Sequence, residues 1–201
     1  MAHIDYYVSL NSPWTHLGAA RLERMVAEHG ATLRIFPVDF GGVIFPASGG
    51  LPLPKRAPER QAYRMTELRR WREATGEPIQ LEPKYFPADE LRAACAVIAV
   101  RETVGDGPAM ALAHRVLKAL WQEDRNHADE LTLKALIDDT GLDGANILAL
   151  AAEPKWAERR TSDSQAALAR GVFGAPSYVI DGEIFWGQDR LEFVGKKLTA
   201  A

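Results

Sequence analysis

An α/β fold is predicted, a mixed sheet interrupted by a large all-helical insertion. Three observations carry this expectation. Residues 1–40 alternate strand, helix and strand signals. The chain from Glu59 to about Arg170 is helical in pattern. Residues 171–201 read as a proline-led turn, a hairpin and a closing helix.

His3 to Ser9 has the apolar, aromatic texture of a first strand. Asn11 to Trp14 follows with helix-start chemistry, polar capping residues and then Pro13 in the first turn. Leu17, Ala20, Leu22, Met25 and Val26 keep roughly helical spacing as far as Glu28, and Gly30 supplies a stop. Thr32 to Val38 alternates and carries β-branched residues, as a second strand would. Strand, helix, strand implies a parallel pair joined by a right-handed crossover. Phe40 to Pro58 is rich in Gly and Pro and reads as a long loop, a kind of segment that often serves function. The helical pattern beyond it is broken at Gly76-Glu77-Pro78, Pro83 to Pro87, Gly105 to Pro108, Gly141 to Gly144 and Pro154. After Pro176 comes a strand, an Asp181-Gly182 hairpin turn, a second strand and a helix from about Asp189. A parallel pair combined with a hairpin makes the sheet mixed. The expected division is therefore a sheet domain of residues 1–40 and 171–201, with the adjoining helix 153–170, and a loop-plus-helix insertion of residues 41–152.

Composition narrows the function. A chain of 201 residues supports one sizeable core, and 47% hydrophobic content is ordinary for a globular domain. A net charge of −3 provides no global positive field for nucleic acid or an anionic membrane. The basic run Arg64 to Arg72 has Glu67 within it and Glu73 after it, and reads as a solvated helix face. The single cysteine, Cys95, lies in the apolar run Leu91 to Val100 and reads as a buried small hydrophobe. With one thiol, no intramolecular disulfide forms, so dithiol redox chemistry is disfavoured. No segment has the apolar length of a membrane span, and the N-terminus runs straight into strand pattern, so a cytoplasmic protein is expected. The histidines show no metal-ligand spacing with cysteine, and no metal is expected. Phosphate-binding glycine loops are missing as well.

Three motifs carry a resemblance: Ser12-Pro13 after the first strand, Arg170-Gly171-Val172-Phe173-Gly174-Ala175-Pro176, and Phe185-Trp186-Gly187-Gln188-Asp189-Arg190-Leu191. Tyr63 to Trp71, Phe86-Pro87 and Gly141-Leu142-Asp143 add weaker support. In this order and spacing the chain resembles the 2-hydroxychromene-2-carboxylate isomerases, relatives of kappa-class glutathione transferases and of DsbA-like oxidoreductases. The likeness covers nearly the whole chain. It implies a thioredoxin-like fold in which Ser12 holds the place of the redox cysteine and Pro176 is cis. It also implies glutathione as cofactor, a small aromatic catabolic substrate, and a possible homodimer.

Carried over by matching position, Ser12 would sit by the glutathione sulfur. The main chain of Ala175, before Pro176, would pair with the tripeptide backbone, and Asp189 with Gln188 would meet its γ-glutamyl end. The physics is consistent with this: a hydroxyl and unpaired N–H groups at a helix N-terminus favour a thiolate, and a carboxylate pairs with an ammonium. The implied reaction interconverts the cyclic hemiketal acid and trans-o-hydroxybenzylidenepyruvate, or a related pair, by reversible thiolate addition. Arg60 joins Ser12, Ala175, Pro176, Gln188 and Asp189 as a candidate glutathione contact. Trp14, Phe45, Tyr85 and Trp186 are the candidate ring contacts, and Arg60 or Arg64 the candidate cation for the substrate carboxylate. The chain departs from the family pattern in the ligand-facing loop, with Leu51 where an asparagine is usual and Arg60 where a lysine is. Asp89 likewise stands at a usual asparagine. Two alternatives stay open at this stage: a kappa-class-like glutathione transferase, and a non-catalytic thioredoxin-like ligand-binding protein.

Overall fold

A computed structural model describes residues 2–200. Its sheet has four strands, β1 (His3–Val8), β2 (Thr32–Pro37), β3 (Ser177–Ile180) and β4 (Glu183–Trp186), in the order β2-β1-β3-β4. β1 and β2 are parallel, with His3 opposite Thr32 and Val8 opposite Pro37. β3 runs antiparallel to β1, Tyr7 facing Ser177, and β4 folds back on β3 with Trp186 facing Ser177. The end of β1, the start of β3 and the end of β4 therefore share one end of the sheet. The hairpin turn is Asp181-Gly182, at φ 51° and 81°. Two successive positive φ angles are what a type I′ turn requires, and Asp-Gly tolerates them well.

The crossover helix α1 (Pro13–His29) ends at Gly30, whose left-handed φ of 59° a side chain would disfavour. The helices that follow are α2 (Phe45–Ser48), α3 (Pro58–Thr75), α4 (Leu91–Thr103), α5 (Asp106–Trp121), α6 (Glu130–Asp138), α7 (Gly144–Ala151), α8 (Pro154–Ala169) and α9 (Leu191–Ala200). Their boundaries fall at the expected breaks. Gly76 closes α3 at φ 69°, Gly105 precedes α5, Asp143 caps α7 by accepting the Asn146 N–H at 3.1 Å, and Pro154 opens α8. The last helix differs slightly from expectation, because a 3-10 turn over Gln188–Arg190 comes first and α9 begins at Leu191.

The segment read as a long loop is more ordered than its Gly and Pro content suggests. It holds a π-helical turn over Phe40–Ile44, then α2, then a 3-10 turn over Leu53–Lys55. Asp39 caps the first turn by accepting the Gly42 N–H at 2.8 Å. Phe40 and Ile44 are buried against Tyr7, Val38 and Val179, with Phe45 packed on them. Apolar residues four and five apart thus anchor a helical turn that glycine alone would not form.

One core cluster runs through both the sheet and the helices, from Ile4, Tyr6 and Ile35 to the Ala93–Val100 face of α4 and on to Leu112, Leu133 and Leu136. α4 is buried all round from Ala93 to Arg101, and Cys95 lies in it as the sequence indicated. Its one buried charge, Arg101, is fully occupied, donating to Asp163 at 2.7 Å and to the Ile35 carbonyl at 2.9 Å. Among the described residues no helix is long and apolar enough to cross a membrane.

Candidate active site

Ser12 forms the tip of α1. Its backbone is extended, its N–H donates to the Ser9 carbonyl at 3.1 Å, and its Oγ accepts the Thr15 N–H at 3.1 Å. Pro13 at the first helical position needs no N–H partner. The hydroxyl hydrogen of Ser12 is left to donate elsewhere, beside the positive end of a 17-residue helix. Thr15 Oγ1, in the same turn, is buried and has no partner among the described residues.

The Ala175–Pro176 peptide bond is cis. Because Ser177 faces Tyr7, Pro176 lies level with Val8, the residue from which the chain turns towards Ser12. Strand register thus brings Ser12 and Pro176 to the same end of the sheet. The Pro176 carbonyl accepts the Gly187 N–H at 2.8 Å, while the N–H and C=O of Ala175 are unpaired among the described residues. Gly174, just before, is closely covered: a Cβ there would stand 2.3 Å from Trp186 Nε1. Trp186 itself is 51% exposed and lies edge-on to Phe173, 43% exposed, with ring centroids 4.7 Å apart.

The two polar residues after Gly187 differ. Gln188 is buried, and both its backbone and side-chain oxygens accept from Arg21. Asp189 is exposed, and among the described residues its carboxylate pairs only with adjacent Arg190, at 2.6 Å.

The candidate ring contacts fall into separate groups. Trp14 and Tyr85 join Phe86 against a cluster built on Leu17, Leu68 and Trp121, and the Arg64 guanidinium lies over the Phe86 and Trp121 rings at 5.2 and 5.8 Å. Phe45 belongs to the cluster of Phe40 and Val38, on which Ala175 also packs. Trp186 stands with Phe173. Arg60, on the first turn of α3, is exposed, as is Leu51, whose carbonyl accepts from Arg56 at 2.7 Å.

A supporting layer escaped the sequence reading. The Asn11 side chain exchanges two hydrogen bonds with Ala88, donating to its carbonyl at 2.8 Å and accepting its N–H at 3.0 Å. Glu90 accepts from the Ser9 hydroxyl at 2.8 Å, from the Asn11 N–H at 3.2 Å and from Arg160 at 2.7 Å. Burial pushes the Glu90 carboxyl above its ordinary value, with Arg160 and Ser9 opposing. Arg160 also donates to the Pro37 and Val38 carbonyls at 3.3 and 3.4 Å. The turn presenting Ser12 is thereby tied to the end of β2, to α8 and to the segment after the second cis bond, Phe86–Pro87. The one local signal was a polar pair, Ser9 and Asn11, beside the helix start. Its partners lie some eighty positions away, and no periodicity announces them. His16, in the same turn, is buried with its Nε2 2.9 Å from the Pro78 carbonyl, and burial holds it below the usual imidazole value.

A βαβ unit, a helical insertion and a hairpin, with a hydroxyl at the first helix tip and a cis-proline at the same sheet end, define a thioredoxin-fold protein lacking a cysteine at that tip. Residues 3–199 match the model of the DsbA-like thioredoxin domain, and the chain belongs to that family. Among curated proteins it is similar to a 2-hydroxychromene-2-carboxylate isomerase of Sphingobium xenophagum, 26% identical over 95% of each chain. A protein of the same description from Pseudomonas putida is 27% identical over 94% of this chain and 90% of the relative. Among solved structures, a 2-hydroxychromene-2-carboxylate isomerase superposes with a TM-score of 0.83 at 25% identity, covering 98% of this chain and 95% of the other. A cytosolic disulfide reductase, DsbM of Pseudomonas aeruginosa, solved with GSH, shares the fold with a TM-score of 0.64 at 23% identity, over 98% and 96% of the two chains.

Proposed function

We propose that this chain is a glutathione-dependent isomerase of aromatic catabolic acids, acting on 2-hydroxychromene-2-carboxylate and trans-o-hydroxybenzylidenepyruvate or a closely related pair. The observation that carries the reading is the pairing of the Ser12 helix tip with the cis Ala175–Pro176 bond at one sheet end. The names of the relatives point the same way.

The residues present fit the tripeptide. The unpaired N–H and C=O of Ala175 offer a strand-like edge to a peptide backbone. Asp189 offers a carboxylate to an ammonium group, and Gln188 is held behind it by Arg21. When bound, glutathione supplies a thiolate that adds reversibly to a conjugated double bond and so makes it a rotatable single bond. Ser12 donates its hydroxyl hydrogen to the sulfur, and the α1 terminus favours the anionic form. Trp14, Phe45, Tyr85 and Trp186 are the proposed contacts for an aryl ring. A basic side chain at the start of α3, Arg60 or Arg64, meets the substrate carboxylate.

The test is turnover of the chromene acid with and without glutathione. Isomerisation that requires the thiol and releases a sulfur-free product is the expected result. A product carrying glutathione would make the chain a transferase, and equal turnover without the thiol would remove the mechanism. No turnover and no calorimetric binding of glutathione would leave a ligand-binding protein, the reading that Leu51 favours.

A further inference from the structure

Arg64, half-buried, differs from the other buried and half-buried arginines. Arg101 closes on Asp163 at 2.7 Å, Arg160 on Glu90 at 2.7 Å and Arg115 on Asp139 at 2.8 Å. Arg64 has no carboxylate within ion-pair distance among the described residues. One of its terminal nitrogens is buried without a partner, and the other has only the Met65 sulfur at 3.8 Å. The charge acting on it is a second cation, Arg56, and burial with that repulsion lowers its pKa to about 10. A desolvated guanidinium without an anion is costly, and the faces of Phe86 and Trp121 offset only part of that cost. The Trp121 indole N–H, in the same cluster, is also buried and unpartnered. Positive charge, unused donors and flat rings thus coincide on the flank where Trp14 and Tyr85 lie.

We propose that Arg64, and not Arg60, determines substrate specificity by holding the carboxylate of an aryl acid whose ring packs on this aromatic cluster. The proposal names the anion anchor within the isomerase reading and rests on it for the identity of the substrate, but the binding preference stands apart from turnover. Arg60 lies exposed one turn earlier on α3, open to solvent. A guanidinium fork suits a carboxylate bidentately, and a charge-assisted bond formed away from water is stronger than one at the surface.

The experiment compares trans-cinnamate with its neutral counterpart cinnamyl alcohol by calorimetric titration of the wild type, Arg64→Gln, Arg64→Lys and Arg60→Gln. The wild type is expected to prefer the acid by about 10- to 100-fold, the range for hydrogen bonds to a charged group. Arg64→Gln should erase that preference and leave the alcohol's affinity unchanged. Arg64→Lys should restore part of it, and Arg60→Gln should keep it whole. A wild type without preference for the acid overturns the proposal, as does a preference that survives Arg64→Gln. Equal weakening of acid and alcohol would show a packing role and also overturn it. A parallel titration with glutathione and its glycyl ethyl ester separates the other source of a carboxylate: loss in Arg64→Gln of a preference for glutathione over the ester assigns Arg64 to the cofactor. Should isomerase turnover be missing while the cinnamate preference depends on Arg64, the proposed function falls and the anion anchor stands.

Discussion

Ser12 accepts one backbone N–H and keeps its own hydrogen, so removing its oxygen has two separable effects. Ser12→Ala is expected to cost about 1 kcal/mol as a lost helix cap, read from urea unfolding. Under the proposed function it also raises the pKa of the bound glutathione thiol, followed by thiolate absorbance against pH. A thiol pKa unchanged in the variant would reduce the serine to a cap. Gly174 is constrained by contact, because an added Cβ meets Trp186 Nε1 at 2.3 Å. Gly174→Ala should destabilise by about 1–3 kcal/mol, the usual range for overpacking, and should shift tryptophan fluorescence as Trp186 leaves Phe173. Stability and emission both unaltered would mean that the indole moves aside at no cost.

At the scale of elements, the β1–α1 turn is held by residues from α8 and from the segment before α4. Glu90 and Arg160 are the connection, a largely buried pair that also satisfies Ser9, Asn11 and two carbonyls at the end of β2. Arg160→Ala strips Glu90 of its counter-charge, and breaking a buried pair in this way costs about 3–5 kcal/mol. Urea unfolding measures the loss, and a change below 1 kcal/mol would show that water replaces the arginine. The polar texture around Ser12 was visible in the sequence, and so were the strands, the Asp181-Gly182 turn and most helix boundaries. These depend on local chemistry: caps, left-handed glycines and apolar spacing. The turns within residues 40–55 were not legible, because their glycines and prolines masked Phe40 and Ile44, whose burial comes from tertiary partners.

Across the whole molecule, buried imidazoles couple stability to pH. His127 has no solvent exposure and neither ring nitrogen finds a partner among the described residues. Burial lowers its pKa from 6.5 to about 4, and nearby Asp89 only partly opposes this. The folded chain holds the neutral ring while the unfolded chain binds a proton. The stability is therefore complete above about pH 6.5 and is lost as pH falls towards 4, by about 3 kcal/mol in full. His16, lowered by burial, adds in the same direction, and Glu90, raised by burial, acts in the opposite one. Calorimetric Tm values should fall between pH 7 and 4.5, and His127→Gln should flatten that slope. An identical slope in the variant would place the acid sensitivity elsewhere.

The sequence by itself determined the order of elements, the mixed sheet, the hairpin and the identity of the residue at the first helix tip. Each follows from periodicity or from the conformational preferences of one or two residues. The tertiary structure decided what lies beside what. It sent Gln188 under Arg21 and left Asp189 in solvent, it divided the aromatic residues between separate clusters, and it left Arg64 half-buried with no anion among the described residues while Arg60 stayed exposed. Burial and pairing are properties of a residue's neighbours in space. Arg60 and Arg64 stand one helical turn apart in the same basic texture, and only the packing of α3 against Phe86 and Trp121 tells them apart.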